Sequence, residues 1–183
     1  MGDTQGYTAE QVGSGEGQKY FGWADYKHGN GTSSPGYTGM TKYNENDGNT
    51  ILEPSDDAAA ANWGGSWRMP TTAEFQALGA AVNTAWTKVN NVYGMLCTDK
   101  TDSSKTLFFP AADSCSYGNV GSVGYVGLYW SSSLGSGKEA FSLSFNNSSV
   151  EWGNLITTRY YGCAVRPVIG REFITQPIPN QSN

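Results

Sequence analysis

At 183 residues the chain is long enough for one ordinary domain with its own buried core. Its 24 glycines, 13% aromatic residues and only 15% charged residues exclude a helical bundle, which needs long runs of good helix formers. A net charge of -5 argues against a nucleic-acid partner and against an anionic membrane, and no apolar run approaches the roughly 18 residues of a membrane span.

Residues 1–18 are Gly-rich and polar, without apolar periodicity, and read as a lead-in ahead of a domain at 19–171. Met1-Gly2-Asp3-Thr4 lacks the basic and apolar regions of a signal peptide. Tyr20-Phe21-Gly22-Trp23 is a short aromatic strand candidate. From 28 to 49 the chain is Gly, Ser, Thr, Asn and Tyr with Pro35, a long loop. It holds the one histidine, His28, expected to be solvent-exposed rather than catalytic. The oxygen-rich stretch 44–49 misses the spacing of a calcium loop and reads as a solvated turn.

Two helix starts follow. Ser55 or Asp56 is expected to cap a helix at 56–62 through Ala58-Ala59-Ala60-Ala61, stopped by Gly64 and Gly65. Thr71-Thr72-Ala73-Glu74 is a capping box and predicts a helix at 72–83, with Phe75, Leu78 and Val82 on its core face. Strands are expected at 93–97, 106–109, 128–132, 140–145 and 163–168, between Gly, Asn and Ser turns. Within them Phe141, Leu143 and Phe145 alternate with serines, as in a half-buried strand. Residues 172–183, with Pro177 and Pro179, read as a tail. Helices early and antiparallel strands late make an α+β layout.

The residues that carry chemistry point away from catalysis. Cys97, Cys115 and Cys163 form no Cys-x-x-Cys pair, and nothing in the spacing joins them to His28 as a nucleophile and base. The expectation is therefore no enzyme, no metal and no cofactor. Arg68 and Arg166, each near Pro, suit either anion recognition or guanidinium groups tied to carbonyls or carboxylates, and Trp67 and Trp130 suit core packing. Between 114 and 161 the composition is instead that of a paratope: Tyr and Trp supply rigid contact area, while Ser, Gly and Asn supply adaptable hydrogen bonds. The candidate ligand site is Tyr117, Asn119, Tyr125, Trp152, Asn154, Tyr160 and Tyr161, expected to share one exposed face.

Several motifs in order carry a resemblance. They are Tyr20-Phe21-Gly22-Trp23, Leu52-Glu53-Pro54-Ser55-Asp56-Asp57-Ala58-Ala59 and Trp63-Gly64-Gly65-Ser66-Trp67-Arg68-Met69-Pro70-Thr71. Phe109-Pro110-Ala111-Ala112, Tyr129-Trp130-Ser131-Ser132 and Arg159-Tyr160-Tyr161-Gly162-Cys163-Ala164-Val165-Arg166-Pro167-Val168 complete the set. Together they resemble the Fibrobacter succinogenes major paralogous domain of gut Bacteroidetes. The resemblance implies a C-type-lectin-like fold of the formylglycine-generating-enzyme-like subtype, with two helices packed on small antiparallel sheets. It is also similar to variable proteins diversified by retroelements, in bacteria or their phages. It further implies an extracellular or surface-displayed receptor or adhesin, whose late loops bind a protein or glycan. The closely placed cysteine pair and the several histidines of the enzymatic branches are missing. Two departures stand out: no strand precedes Tyr20, and Asp113-Ser114-Cys115 replaces the family's usual Gly-Tyr-Arg. The other readings are a fimbrial or tip subunit and an oxidase-related enzyme of the same fold.

Overall fold

The computed structural model describes residues 1–31 and 39–170. Pro35 of the long loop and the expected tail at 172–183 lie outside the described residues. The chain is α+β, with few helices and mostly small antiparallel sheets.

Helix α1, Ala58–Trp63, follows Pro54, but its cap is one residue later than expected. The Asp57 carboxylate accepts from the N–H groups of Ala59 and Ala60, and its two oxygens also accept from Met69 N. Ser55 and Asp56 therefore do not cap; Asp56 is spent elsewhere. Gly64 ends the helix at φ 63°, where a Cβ would be strained. Strand β1, Trp67–Arg68, leads to helix α2, Thr72–Ala81, where the capping box forms as expected. Thr71 Oγ1 accepts from Glu74 N at 3.3 Å, and Thr71 N donates to Glu74 Oε2 at 2.9 Å. Such a cap contributes about 1 kcal/mol.

The helix stops two residues short of the expected 83. Val82 opens strand β2, Val82–Val89, which pairs with β3, Val92–Asp99, across an Asn90-Asn91 turn. Both Asn residues have positive φ, 49° and 67°, the geometry of a tight hairpin turn. Strand β4, Thr106–Pro110, completes the sheet β2-β3-β4. Strands β5, Ser114–Ser116, and β6, Asn119–Val120, join β10, Gly162–Cys163, in a small sheet of order β10-β5-β6. The central sheet is β7-β8-β9, from Gly127–Leu134, Glu139–Phe145 and Val150–Thr158. Strand β11, Val168–Ile169, pairs with β1, so the expected strand at 163–168 survives only at its ends.

Two large apolar clusters and a small one of Trp23, Tyr26 and Met40 fill the interior. Phe75 of α2 packs with Met95, Cys97, Phe109, Tyr129, Leu143 and Phe145. Tyr43, Leu52, Ala59, Met69, Trp130 and Ala140 form the other large cluster, together with Met1. Strand β7 is buried almost throughout, so its serines need partners: Ser131 Oγ donates to Phe141 O at 2.9 Å and Ser132 Oγ to Pro70 O at 3.3 Å. Ser142 on β8 is likewise buried, against Thr157 at 2.8 Å, so β8 is covered on both faces rather than half-buried. Gly127 is fixed by packing, because a Cβ there would lie 2.0 Å from the Phe145 ring.

Trp67 departs from the core reading. It is half-buried, edge-on to an exposed Trp63 at 5.4 Å, while Trp130 is in the core. The lead-in at 1–18 packs onto the domain: Val12 is buried and bridges Lys19, and Tyr7 meets the Phe21 ring at 5.4 Å.

Candidate functional site

The Tyr20-Phe21-Gly22-Trp23 stretch is not a strand. Phe21 takes φ 53° and the chain turns into a short 3-10 helix at Trp23–Asp25. The Asp25 carboxylate forces the turn, accepting from Phe21 N at 3.1 Å and Gly22 N at 2.7 Å. The carbonyls of Tyr20 and Phe21 are thereby turned toward the β5–β6 hairpin. Gly118 N donates to Tyr20 O at 2.6 Å and Tyr117 N to Phe21 O at 3.2 Å. Tyr117 also has a left-handed backbone, φ 46°. Two aromatic residues in that region are costly and persist only where their surroundings hold them.

The strained backbones gather rings. Tyr20 and Tyr117 lie 5.7 Å apart, Tyr117 and Tyr160 5.0 Å, Tyr160 and Tyr161 4.9 Å, and Trp23 and Tyr160 4.9 Å. The Tyr20–Tyr117 and Trp23–Tyr160 pairs meet edge-to-face, at 71° and 73°, and the other two are tilted, at 56° and 54°. Beneath them Arg159 is 1% exposed and donates to Glu139 O, Tyr43 O and Gly135 O at 2.7, 2.6 and 3.1 Å. That tie fixes the backbone that carries Tyr160 and Tyr161. Burial, then hydrogen bonding with Tyr117, pushes the Tyr160 hydroxyl well above its ordinary pKa, so it is neutral. Asn119 sits beside the group, its Nδ2 donating to Tyr117 O at 3.0 Å.

Tyr125 is presented by the next loop and is 74% exposed. That loop is pinned from behind. Asp113, at φ 47°, accepts Ser122 N on its carboxylate, and its own N–H donates to Val126 O. Gly121 N and Gly124 N donate to Ser114 O and Ala111 O, both at 2.7 Å. Val123, 58% exposed, stands beside Tyr125 and escaped the sequence reading, which looked for polar and aromatic types. Asp113 escaped it too, although Asp113-Ser114-Cys115 departs from the resembled motif.

Trp152 and Asn154 are elsewhere. They lie on β9, a strand the sequence reading placed in loops. Trp152 packs against the core over Gly79 of α2, where an added Cβ would sit 2.6 Å from the indole. Asn154 Oδ1 accepts from Gln76 Nε2 of α2 at 2.7 Å. Tyr160 lies eight residues beyond Trp152, roughly 26 Å of extended chain. Contacts thus join Tyr117, Asn119, Tyr160 and Tyr161; Tyr125 stands on the adjoining loop; and Trp152 and Asn154 belong to the α2–β9 seam rather than to the same face.

His28 is buried, contrary to the solvent-exposed expectation. Its Nε2 is 3.3 Å from Asp56 Oδ1, and Asp56 also accepts from Lys27 Nζ, Lys42 Nζ and Tyr43 Oη at 2.7, 2.6 and 2.7 Å. Burial pushes the imidazole pKa below its usual value, against the pull of Asp56. Burial also opposes the Asp56 charge, but bonds from Lys27, Lys42 and Tyr43 outweigh it and hold that carboxyl well below the usual range. Asp56 is therefore a saturated structural anion, with no lone pair directed at solvent for proton transfer.

Residues 44–49 form a turn held by their own side chains: Asn44 Oδ1 accepts from Asn46 N at 2.9 Å and Asp47 Oδ1 from Asn49 N at 3.0 Å. Among the described residues no group of three or more His, Cys, Asp or Glu side chains is placed to hold a metal ion. All three cysteines are free thiols, and burial pushes the Cys97 thiol up to about 11 and Cys163 higher still. Arg68 makes a two-pronged pair with Glu74, both contacts at 2.6 Å, and Arg166 lies over the Phe109 ring at 5.6 Å. No helix among the described residues is long and apolar enough to cross a membrane. No protein-family model, curated protein or solved structure matches the chain.

Proposed function

We propose that the chain is a ligand-binding domain of receptor or adhesin type, with the C-type-lectin-like fold its motifs imply, displayed outside a bacterial cell or on a phage. Its contact surface is the segment 117–125 with Tyr160, Tyr161 and Tyr20. One observation carries this reading: Tyr117 and Tyr125 are exposed on backbone that is fully braced from behind. Rigid, amphipathic rings held in place before binding cost little ordering entropy, which is how interface hot spots are built. The ligand is a protein or glycan, and the domain catalyses nothing.

The test is a combined glycan and cell-surface-protein array probed with the whole chain, then with Tyr117→Ser and Tyr125→Ser. A specific ligand is expected, with each variant weakening it at least about tenfold at unchanged thermal stability. Ligands retained by both variants would move the site elsewhere, and a copper- or iron-dependent oxidation by the purified protein would replace binding by catalysis. Diversification by a retroelement, which the resemblance implies, is tested by sister sequences from one locus: differences are expected at adenine-containing codons of the late loops, not evenly along the chain.

A further inference from the structure

A recess of about 520 Å³ lies between the first seven residues, helix α1 and the β5–β10 pair. Volumes of this order hold small molecules. Its floor is apolar, made by Phe21, Met69 and Trp130. At one end stands Trp63, 57% exposed and steadied edge-on by Trp67. An exposed indole steadied in orientation offers a flat apolar face on which a ring can stack.

Polar groups with hydrogen-bonding capacity to spare among the described residues surround it. Asn62 spends both amide hydrogens on Thr4 O and Ala58 O, at 2.7 Å each, which locks the side chain and leaves Oδ1 as an acceptor with no partner among the described residues. The Trp63 Nε1–H and the Thr4 hydroxyl are engaged by no described residue. The Ser114 hydroxyl donates to Asp113 at 3.3 Å and retains its lone pairs. Two carboxylates line it, Asp3, which pairs with Lys19 behind it, and Asp113, and among the described residues no Lys, Arg or His side chain lines it.

That combination selects chemistry. A phosphate or carboxylate ligand would meet two carboxylates, of which Asp3 alone is paired with a cation, Lys19 at 3.2 Å, so anions are disfavoured. A purely apolar ligand would strip water from the Asn62, Thr4 and Ser114 groups without replacing their hydrogen bonds. A pyranose ring offers an apolar C–H face for the indole and floor, and hydroxyls that both donate and accept. We infer that this recess is a binding site for a neutral saccharide, with Trp63 as its stacking platform and Asn62 Oδ1 as its fixed acceptor. The recess shares Tyr161 with the proposed contact surface, but its platform and fixed acceptor, Trp63 and Asn62, are not part of that surface, so either can bind without the other.

Saturation-transfer NMR of the whole chain with a panel of neutral methyl pyranosides, and with sialic and uronic acids as the acidic arm, tests it. Transfer from protein to at least one neutral glycoside is expected, with none to the acids. Trp63→Ala removes an exposed ring and should weaken the dissociation constant at least about tenfold. Gly6 lines the recess, and a Cβ built there meets nothing within 4 Å, so Gly6→Trp should fill the space and abolish transfer while the thermal midpoint holds. Should that midpoint fall, Trp63→Ala alone decides. Absence of transfer to every neutral glycoside, equal binding of the acids, or binding that survives the Trp63 change each overturns the inference.

Discussion

Arg159 illustrates how a charge can be structural. Its guanidinium is buried against backbone oxygens and a methionine sulfur. Those groups lose their donors if the side chain is shortened, so Arg159→Ala should cost about 3–5 kcal/mol, read as a fall in urea midpoint. His28 gives a pH signature whose sign follows from burial. The fold accommodates the neutral ring, and the unfolded chain takes up a proton below about 6.5, so unfolding is favoured as pH drops from about 7 to 5. Asp56 adds the same direction at lower pH, since its folded carboxyl stays charged below the unfolded value of 3.8. His28→Gln should therefore reduce the slope of stability between pH 7 and 5. An identical slope in both proteins would show that the ring stays out of the titration.

At the scale of elements, helix α2 and strand β9 are locked by Gly79 and Trp152. Gly79→Ala drives a methyl into the indole and should cost about 1–3 kcal/mol in thermal or urea unfolding, while leaving ligand affinity unchanged. A loss of binding without loss of stability would return Trp152 to the contact surface. The helices were legible in the sequence because their signals are local: the Thr71–Glu74 box needs only four residues. Strand β9 was not, because Glu151, Gly153 and Asn154 break any period-two pattern and its pairing with β8 is a tertiary fact. Strand β2 hid behind Ala80, Ala81 and Val82, which continue a helical pattern until the hairpin with β3 overrules it. The aromatic group was half legible. Tyr117, Tyr160 and Tyr161 are marked by type, whereas Tyr20 enters only through backbone turns at Phe21 and Tyr117 that no propensity foretells.

For the whole molecule, the free thiols offer a test that separates binding from covalent chemistry. Cys97 and Cys163 are held as neutral thiols by burial, so an alkylating agent at neutral pH should modify them slowly, and ligand binding should survive treatment of the folded protein. Rapid modification coupled to loss of a turnover would instead make one of them a nucleophile.

The brace behind the 121–126 loop has a consequence for how freely this surface can change. Its hydrogen bonds run through main-chain atoms and the Asp113 carboxylate, and the side chains of Val123 and Tyr125 take no part in them. Loop shape and tip chemistry are therefore separately inherited. A randomised library at Asn119, Val120, Val123 and Tyr125 should keep most members resistant to protease, because exposed substitutions usually shift stability by about 0.5 kcal/mol or less. The same library built on Asp113→Ala should lose that resistance in most members, which would make this single carboxylate the gatekeeper of the surface's evolvability.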